Sequence, residues 1–202
     1  EESGKFVCAS AGHNLEALMA ANGSGAVALS RQEHQTILNI DIGGGTIKLG
    51  LCHGGKLLST SAFAVGGRLI AFDEDGKMIR IEGPAEQEAE DVGVKLTLGE
   101  VLSKEDRKKI VSRMVDVIVS YATREPNDDL CKALLLTENL PQTPAVDGIT
   151  FSGGVSEYIY RREEEDRGDL GRSIAHDLRH ALADKRIPEK VYNPGPGIRA
   201  TV

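Results

Sequence analysis

The stretch Asp41-Ile42-Gly43-Gly44-Gly45-Thr46 indicates the fold more strongly than any other part of this chain. It lies between two aliphatic runs, 37–40 and 47–51, which are typical of strands because several of their residues are β-branched. The three glycines predict a tight turn in which several backbone N–H groups are free to bind one anion. A carboxylate before the turn and a hydroxyl after it suit a metal-bound phosphate. The pattern therefore predicts a nucleotide site.

A hairpin that is merely rich in glycine is the alternative, although a plain hairpin needs only one or two glycines. In the binding interpretation, Asp41 has a catalytic role, holding Mg²⁺ through water or orienting an attacking water. Thr46, also assigned to catalysis, would offer its hydroxyl to the terminal phosphate. The amides of residues 43–45 would surround the phosphate oxygens. The turn is not a Walker loop, because no Gly-Lys-Ser/Thr opens a helix here.

A second glycine turn, Ser152-Gly153-Gly154-Val155-Ser156, follows an apolar strand predicted over 148–152. Such a turn often needs glycine for steric reasons alone, and by itself it is weak support for a site. A helix N-terminus preceded by glycine nevertheless suits a ribose or a phosphate. Together the two turns predict one nucleotide site, whose contacts are Asp41, Gly43, Gly44, Gly45, Thr46, Gly153, Gly154 and Ser156.

The composition is that of an ordinary globular protein of 202 residues, long enough for one large domain or two small ones. A net charge of -7 argues against a nucleic-acid surface and, more weakly, against an anionic membrane surface. No apolar stretch approaches the ~20 residues that cross a bilayer. The three cysteines, Cys8, Cys52 and Cys131, form no CxxC pair and predict reduced thiols.

The order of predicted elements indicates a mixed α/β domain. Strands are predicted over 6–9, 37–41, 46–53, 56–65, 69–72, 78–81, 148–152 and 191–192. Helices are predicted over 14–21, 26–29 and 130–136, after Ser103, and around 174–182. The acidic residues Glu86, Glu88, Glu90 and Asp91 are predicted to form an exposed face. The chain starts without Met and ends abruptly, so we expect a piece of a longer protein.

The first turn resembles the second phosphate motif of the superfamily that joins actin, heat-shock chaperones and sugar kinases. Residues 152–155 resemble its adenosine motif. The resemblance implies an actin-like ATPase (ribonuclease H-like) fold, with a mixed sheet flanked by helices, and ATP/ADP with Mg²⁺ as cofactors. It also implies that residues 1–35 end a first domain and include a crossing helix, while 36–202 form a truncated second nucleotide-binding domain. Lys48 departs from the heat-shock form of the motif, which often has Asp there.

Five segments together resemble the ethanolamine ammonia-lyase reactivating factor (EutA) family: 11–16, 39–46, 65–70, 149–157 and 192–201. Membership implies a chaperone-like factor whose ATP-dependent conformational change frees damaged cobalamin from ethanolamine ammonia-lyase, its partner, so that adenosylcobalamin can replace it. ATPase activity is expected only of the full-length protein. The resemblance implies a cytoplasmic location, with a bacterial microcompartment as a further option, and predicts no oligomeric state.

Two other functions stay open for a chain of this superfamily. A small-molecule kinase would need a carboxylate base facing a substrate pocket, and the sequence offers no candidate. A nucleotide-dependent scaffold, like the actin-like cell-division proteins, would polymerise and would not contact a cobalamin enzyme.

Overall fold

The computed structural model of the chain describes residues 12–193. The strand predicted over 6–9, Cys8 and the chain beyond 193 lie outside those residues. The helices are α1 (His13–Gly23), α2 (Ala26–Gln32), α3 (Gly83–Asp91), α4 (Lys104–Ala122), α5 (Asp129–Leu134), α6 (Gly154–Ile159) and α7 (Gly171–Ala183). The strands are β1 (Thr36–Ile42), β2 (Ile47–His53), β3 (Lys56–Phe63), β4 (Ile70–Phe72), β5 (Met78–Ile81), β6 (Gly148–Ser152) and β7 (Lys190–Tyr192).

A five-stranded mixed sheet in the order β3-β2-β1-β6-β7 organises the chain. The first three strands form an antiparallel meander, and β6 and β7 add to it in parallel. Gly54 and Gly55 both adopt positive φ in the turn between β2 and β3, which confirms the predicted hairpin. Strands β4 and β5 form a separate two-stranded sheet. The predicted mixed α/β class is confirmed, whereas the domain division at residue 35 stays a prediction.

The two faces of the sheet are covered by different helices because side chains alternate along each strand. Ile37 and Cys52 face a small cluster with Ala21 of α1 and Ala26 of α2. The alternate residues 38, 40 and 42 enter the main core, together with residues of α4 and α7. None of the helices within residues 12–193 is both long and apolar enough to cross a bilayer.

Helix α4 begins where the sequence predicts. The Ser103 hydroxyl accepts a hydrogen bond from the Asp106 N–H (3.0 Å), which satisfies one of the unpaired amides of the first turn. Its apolar face is buried, and Tyr121 stacks on Phe63 of β3 with ring centroids 4.2 Å apart. This aromatic pair fixes the helix against the edge of the main sheet.

The predicted exposed acidic face is wrong for Glu88. The segment folds as α3, with Pro84 in its first turn, and packs against α4 and α5. Glu88 is fully buried there, and neither of its carboxyl oxygens has a hydrogen-bond partner among the described residues. Burial raises its pKa well above the ordinary value, against the opposing charge of Arg113. Arg113 itself is held by carboxylates of Asp91 (2.6 Å) and Asp128 (2.7 Å).

Glu88→Gln is expected to be at least about 1 kcal/mol more stable than the wild type at pH 7.5, because a buried neutral amide replaces a group that costs free energy to ionise or to keep protonated. Because the pKa of Glu88 is higher in the folded protein than in the unfolded chain, the folded state keeps this carboxyl protonated at pH values where the unfolded state has lost the proton. Wild-type stability from this group therefore falls as the pH rises from about 4.3, the ordinary Glu value, through the raised pKa. Urea unfolding at a series of pH values measures the difference, which should vanish near pH 4.

Glu86→Gln is the matched control, since Glu86 is exposed on the same helix. Its unfolding curve should follow that of the wild type. A Glu88→Gln protein less stable than the wild type at pH 7.5 would show that the carboxylate is ionised and stabilised by Arg113.

Candidate functional site

The two glycine turns predicted from the sequence lie side by side at one end of the sheet. Strands β1 and β6 pair in parallel, with Asp41 opposite Ser152, so the chain leaves both strands at the same edge. Gly153 has a φ of 80° and packs against the backbone of Ile42; a Cβ there would overlap the Ile42 carbonyl group. The close approach therefore requires glycine at position 153.

A third glycine segment supports the first turn from its other side. The Gly67 N–H donates to the Gly43 carbonyl (3.0 Å), and the Arg68 N–H donates to the Gly44 carbonyl (2.6 Å). Gly66 lies so close to the Gly44 backbone that a Cβ there would overlap it. The loop over 65–68 thus fixes the turn between β1 and β2 by backbone contacts.

Three consecutive amides of the first turn are available to a ligand. Among the described residues, the N–H groups of Gly44, Gly45 and Thr46 have no hydrogen-bond acceptor, although the Gly43 N–H donates to the Thr46 carbonyl (3.1 Å). The fold requires neither Gly44 nor Gly45. Neither has a positive φ, and a Cβ on Gly45 would meet no atom within 4 Å. Free amides beside unhindered glycines fit the oxygens of an anion such as phosphate.

A row of hydrogen bonds between β1 and β6 holds the carboxylate of Asp41. The Thr150 hydroxyl donates to Asn39 (2.9 Å), the Asn39 amide donates to Ser152 (3.0 Å), and the Ser152 hydroxyl donates to Asp41 Oδ1 (2.8 Å). The other carboxylate oxygen accepts no hydrogen bond from the described residues. The row orients Asp41 and leaves one oxygen available for a metal ion or a water.

The charge of Asp41 depends on its burial and on two neighbours. Burial raises its pKa, while the Ser152 hydrogen bond and then the Lys48 ammonium lower it; Glu16 adds a smaller upward effect. Lys48 stands opposite Asp41 on β2, and its Nζ lies 2.9 Å from Glu16 of α1. A Cβ placed on Gly43 would be 3.9 Å from that Nζ, so Lys48 borders the turn.

Three of the predicted contact residues, Ser156, Gly154 and Thr46, differ in how well the structure exposes them to a ligand. The Ser156 side chain is buried and its hydroxyl donates to the Gly153 carbonyl (2.7 Å), so it serves the first turn of α6. Gly154 is exposed, and a Cβ on it would meet nothing within 4 Å. The Thr46 hydroxyl has no hydrogen bond to another described residue. The roles assigned to these residues stay predictions.

A metal ion at this site would depend on few protein ligands. Within residues 12–193, no group of three or more His, Cys, Asp or Glu side chains could hold a metal ion. The single carboxylate of Asp41 fits Mg²⁺, which is commonly held by one or two carboxylates together with substrate phosphates and water.

Sequence reasoning missed the contribution of Glu16 and Asn39 to this site. Glu16 lies on a helix that is distant in sequence from the turn, so only the packing of α1 on β2 brings it near Lys48. Asn39 interrupts an aliphatic run at a fully buried position, where a polar side chain needs a partner. That interruption was the available signal.

Comparison with solved structures gives weak likenesses. A Ppx/GppA phosphatase of Aquifex aeolicus is 14% identical with a TM-score of 0.44, over 92% of this chain and 61% of that chain. An exopolyphosphatase from Cytophaga hutchinsonii is 14% identical with a TM-score of 0.40, over 88% and 57% of the two chains. At these TM-scores neither likeness carries an argument.

Comparison of sequences is decisive for the family. The chain is 36% identical over 203 residues to the ethanolamine ammonia-lyase reactivase EutA of Salmonella typhimurium (strain LT2), and 36% identical over 206 residues to that of Escherichia coli (strain K12). Each match covers 98% of this chain and 42% of the relative, so the chain spans less than half the length of these relatives. The family model described as "Ethanolamine utilisation protein EutA" matches residues 1–202. The chain therefore belongs to the EutA family of ethanolamine utilisation proteins.

Proposed function

We propose that the protein to which this chain belongs is a nucleotide-dependent reactivating factor for ethanolamine ammonia-lyase, with an actin-like ATPase fold. Binding of ATP or ADP with Mg²⁺ changes its conformation, and the change releases damaged cobalamin from the lyase so that adenosylcobalamin can enter. Family membership supports the choice of lyase, because both curated relatives are named as reactivases of that enzyme. The proposal places the protein in the cytoplasm.

The observation that carries the nucleotide part is the convergence of the two glycine turns beside three free amides. Gly153 packs on Ile42, directly before the turn whose amides at residues 44–46 lack acceptors among the described residues. One ligand could therefore contact both turns at the same edge of the sheet. Phosphate oxygens suit the free amides, and a ribose or further phosphate suits the exposed surface at Gly154.

The residues of the site divide the work in this proposal. The amides of Gly44, Gly45 and Thr46 bind phosphate oxygens, and the hydroxyl of Thr46 donates to the terminal phosphate. Asp41, held by Ser152, binds Mg²⁺ or orients a water through its second oxygen. When bound, Mg²⁺ neutralises charge on the phosphates, which favours hydrolysis.

Restored turnover of an inactivated lyase tests the function directly. Ethanolamine ammonia-lyase inactivated with cyanocobalamin is mixed with the full-length protein, Mg²⁺, ATP and adenosylcobalamin, and ethanolamine turnover is measured. We expect activity to return with ATP and to remain absent without nucleotide. A non-hydrolysable ATP analogue separates the effect of binding from that of hydrolysis.

Two results would contradict the proposal. Lyase that stays inactive with ATP present removes the reactivating role. Phosphorylation of a small substrate, or nucleotide-dependent polymers with no effect on the lyase, would favour the kinase or the scaffold instead.

A further inference from the structure

We propose that the ammonium group of Lys48 exchanges partners when nucleotide binds. It breaks its ion pair with Glu16 of α1 and binds a phosphate of the nucleotide instead, which loosens α1 from the sheet. The proposal rests on the proposed nucleotide site and adds a regulatory link to it. The link joins the turn between β1 and β2 to α1, which packs against β2 and β3.

Lys48 is positioned so that its ammonium group could reach a phosphate bound at the turn. It stands opposite Asp41 in the β1–β2 ladder, and its Nζ would lie 3.9 Å from a Cβ on Gly43, the first residue of the turn. A ligand bound to the free amides at residues 44–46 would thus lie near an ammonium group. A lysine has three donors on a flexible stem, so it can move between two acceptors.

The present partner of Lys48 makes exchange favourable. Nζ lies 2.9 Å from Glu16, while the side chain of Lys48 is only 13% exposed and that of Glu16 is 39% exposed. One ammonium therefore stands between two carboxylates, those of Glu16 and Asp41, and this small cluster carries a net charge of -1. A nucleotide phosphate carries more negative charge than a carboxylate and offers more acceptor oxygens for charge-assisted hydrogen bonds. It should compete well for Lys48, whereas Glu16 can turn to solvent.

The consequence falls on the N-terminal part of α1. Two polar contacts tie that part to the sheet: Glu16 to Lys48, and Asn14, whose side-chain oxygen accepts from the Thr60 hydroxyl (2.9 Å). Further along the helix, Ala17 and Ala21 pack tightly over Gly50. Loss of the Glu16 contact would leave only the Asn14–Thr60 hydrogen bond of these two and so loosen the first turn of α1, while its second half stays packed. Nucleotide binding would in this way change the packing of α1, a helix that is not part of the phosphate turn.

Affinity for Mg-ADP, measured by titration calorimetry on the full-length protein, tests the exchange. Lys48→Met should weaken binding at least about tenfold, since a charge-assisted contact is lost. Lys48→Arg should stay within about threefold of the wild type because it keeps the charge. Glu16→Gln should tighten binding about three- to tenfold, because Lys48 no longer has to leave a carboxylate. The double variant should bind like Lys48→Met alone.

The opposite effects of Lys48→Met and Glu16→Gln on nucleotide affinity distinguish partner exchange from a purely structural ion pair. If the pair only supported the fold, both single variants would weaken binding. Lys132→Met is the control, since Lys132 forms a similar 2.9 Å pair with Asp129 on α5, and it should leave affinity unchanged. Hydrogen exchange should show faster exchange at residues 15–16 when ADP is added to the wild type, and no further change in Glu16→Gln.

The outcomes distinguish this inference from the function on which it rests. A wild type that binds no nucleotide overturns both. A wild type that binds nucleotide, with Lys48→Met equal to it or Glu16→Gln weaker than it, overturns the exchange alone.

Discussion

Substitution of Gly66 by alanine is expected to destabilise the protein by about 3 kcal/mol or more and to displace the first glycine turn. The added Cβ would lie 2.5 Å from the Gly44 carbonyl carbon and 2.7 Å from the Gly45 nitrogen. Both are backbone atoms of a turn held on its other side by β1 and β2, so no side chain can rotate away to make room. Overpacking of this kind costs about 1–3 kcal/mol and sometimes more. Urea unfolding measures the effect.

Gly83→Ala is the matched control for the Gly66 substitution. Gly83 begins α3, and a Cβ there would meet no atom within 4 Å. The control should unfold within about 0.5 kcal/mol of the wild type. A Gly66→Ala protein equally close to the wild type would mean that the loop over 65–68 does not press on the turn.

Replacing Asp41 with asparagine is expected to weaken Mg-nucleotide binding about 30-fold or more, an effect of ~2 kcal/mol, and to abolish reactivation of the lyase. Asparagine has nearly the same shape, and its side-chain oxygen can still accept the hydrogen bond from Ser152. The variant therefore removes the negative charge proposed for Mg²⁺ while the β1–β6 contact is retained. Calorimetric titration with Mg-ATP and the lyase assay measure the two effects.

Asp147→Asn controls for a carboxylate lost beside the same sheet, directly before β6. Asp147 accepts a hydrogen bond from the Thr36 N–H (2.8 Å), at the opposite end of β1 from Asp41. It should leave nucleotide affinity and reactivation unchanged. Full reactivation by Asp41→Asn would exclude the metal role assigned to that carboxylate.

The main sheet could be predicted because its signals are local. Strands β1, β2 and β3 follow from aliphatic runs separated by glycine turns, and Gly54 and Gly55 indeed adopt the positive φ of a tight hairpin. Helix α4 follows from its cap at Ser103 and its apolar spacing. The adjacency of the two site turns is less local. It depends on the parallel pairing of β1 with β6, which sequence periodicity does not encode; the superfamily resemblance implied only that both turns serve one nucleotide.

Other features could not be predicted because they depend on packing between distant segments. The acidic run around Glu88 has the composition of a solvent-exposed surface, yet α3 packs against α4 and α5 and buries one carboxyl. Likewise, Lys48 was recognisable as a departure from the heat-shock motif, but its partner Glu16 follows only from where α1 crosses β2. The role of Gly66 also depends on packing, since its φ is not positive and only its close approach to the Gly44 backbone explains the need for glycine.

The central place of β1 has a mechanical consequence. One strand is bonded to β2 on one side and to β6 on the other, and it carries the start of the first glycine turn as well as the backbone against which Gly153 rests. The two turns therefore keep a fixed position relative to each other. In the proposed function, a conformational change that follows nucleotide binding would therefore have to arise outside this pair of turns, since their separation is fixed by one strand.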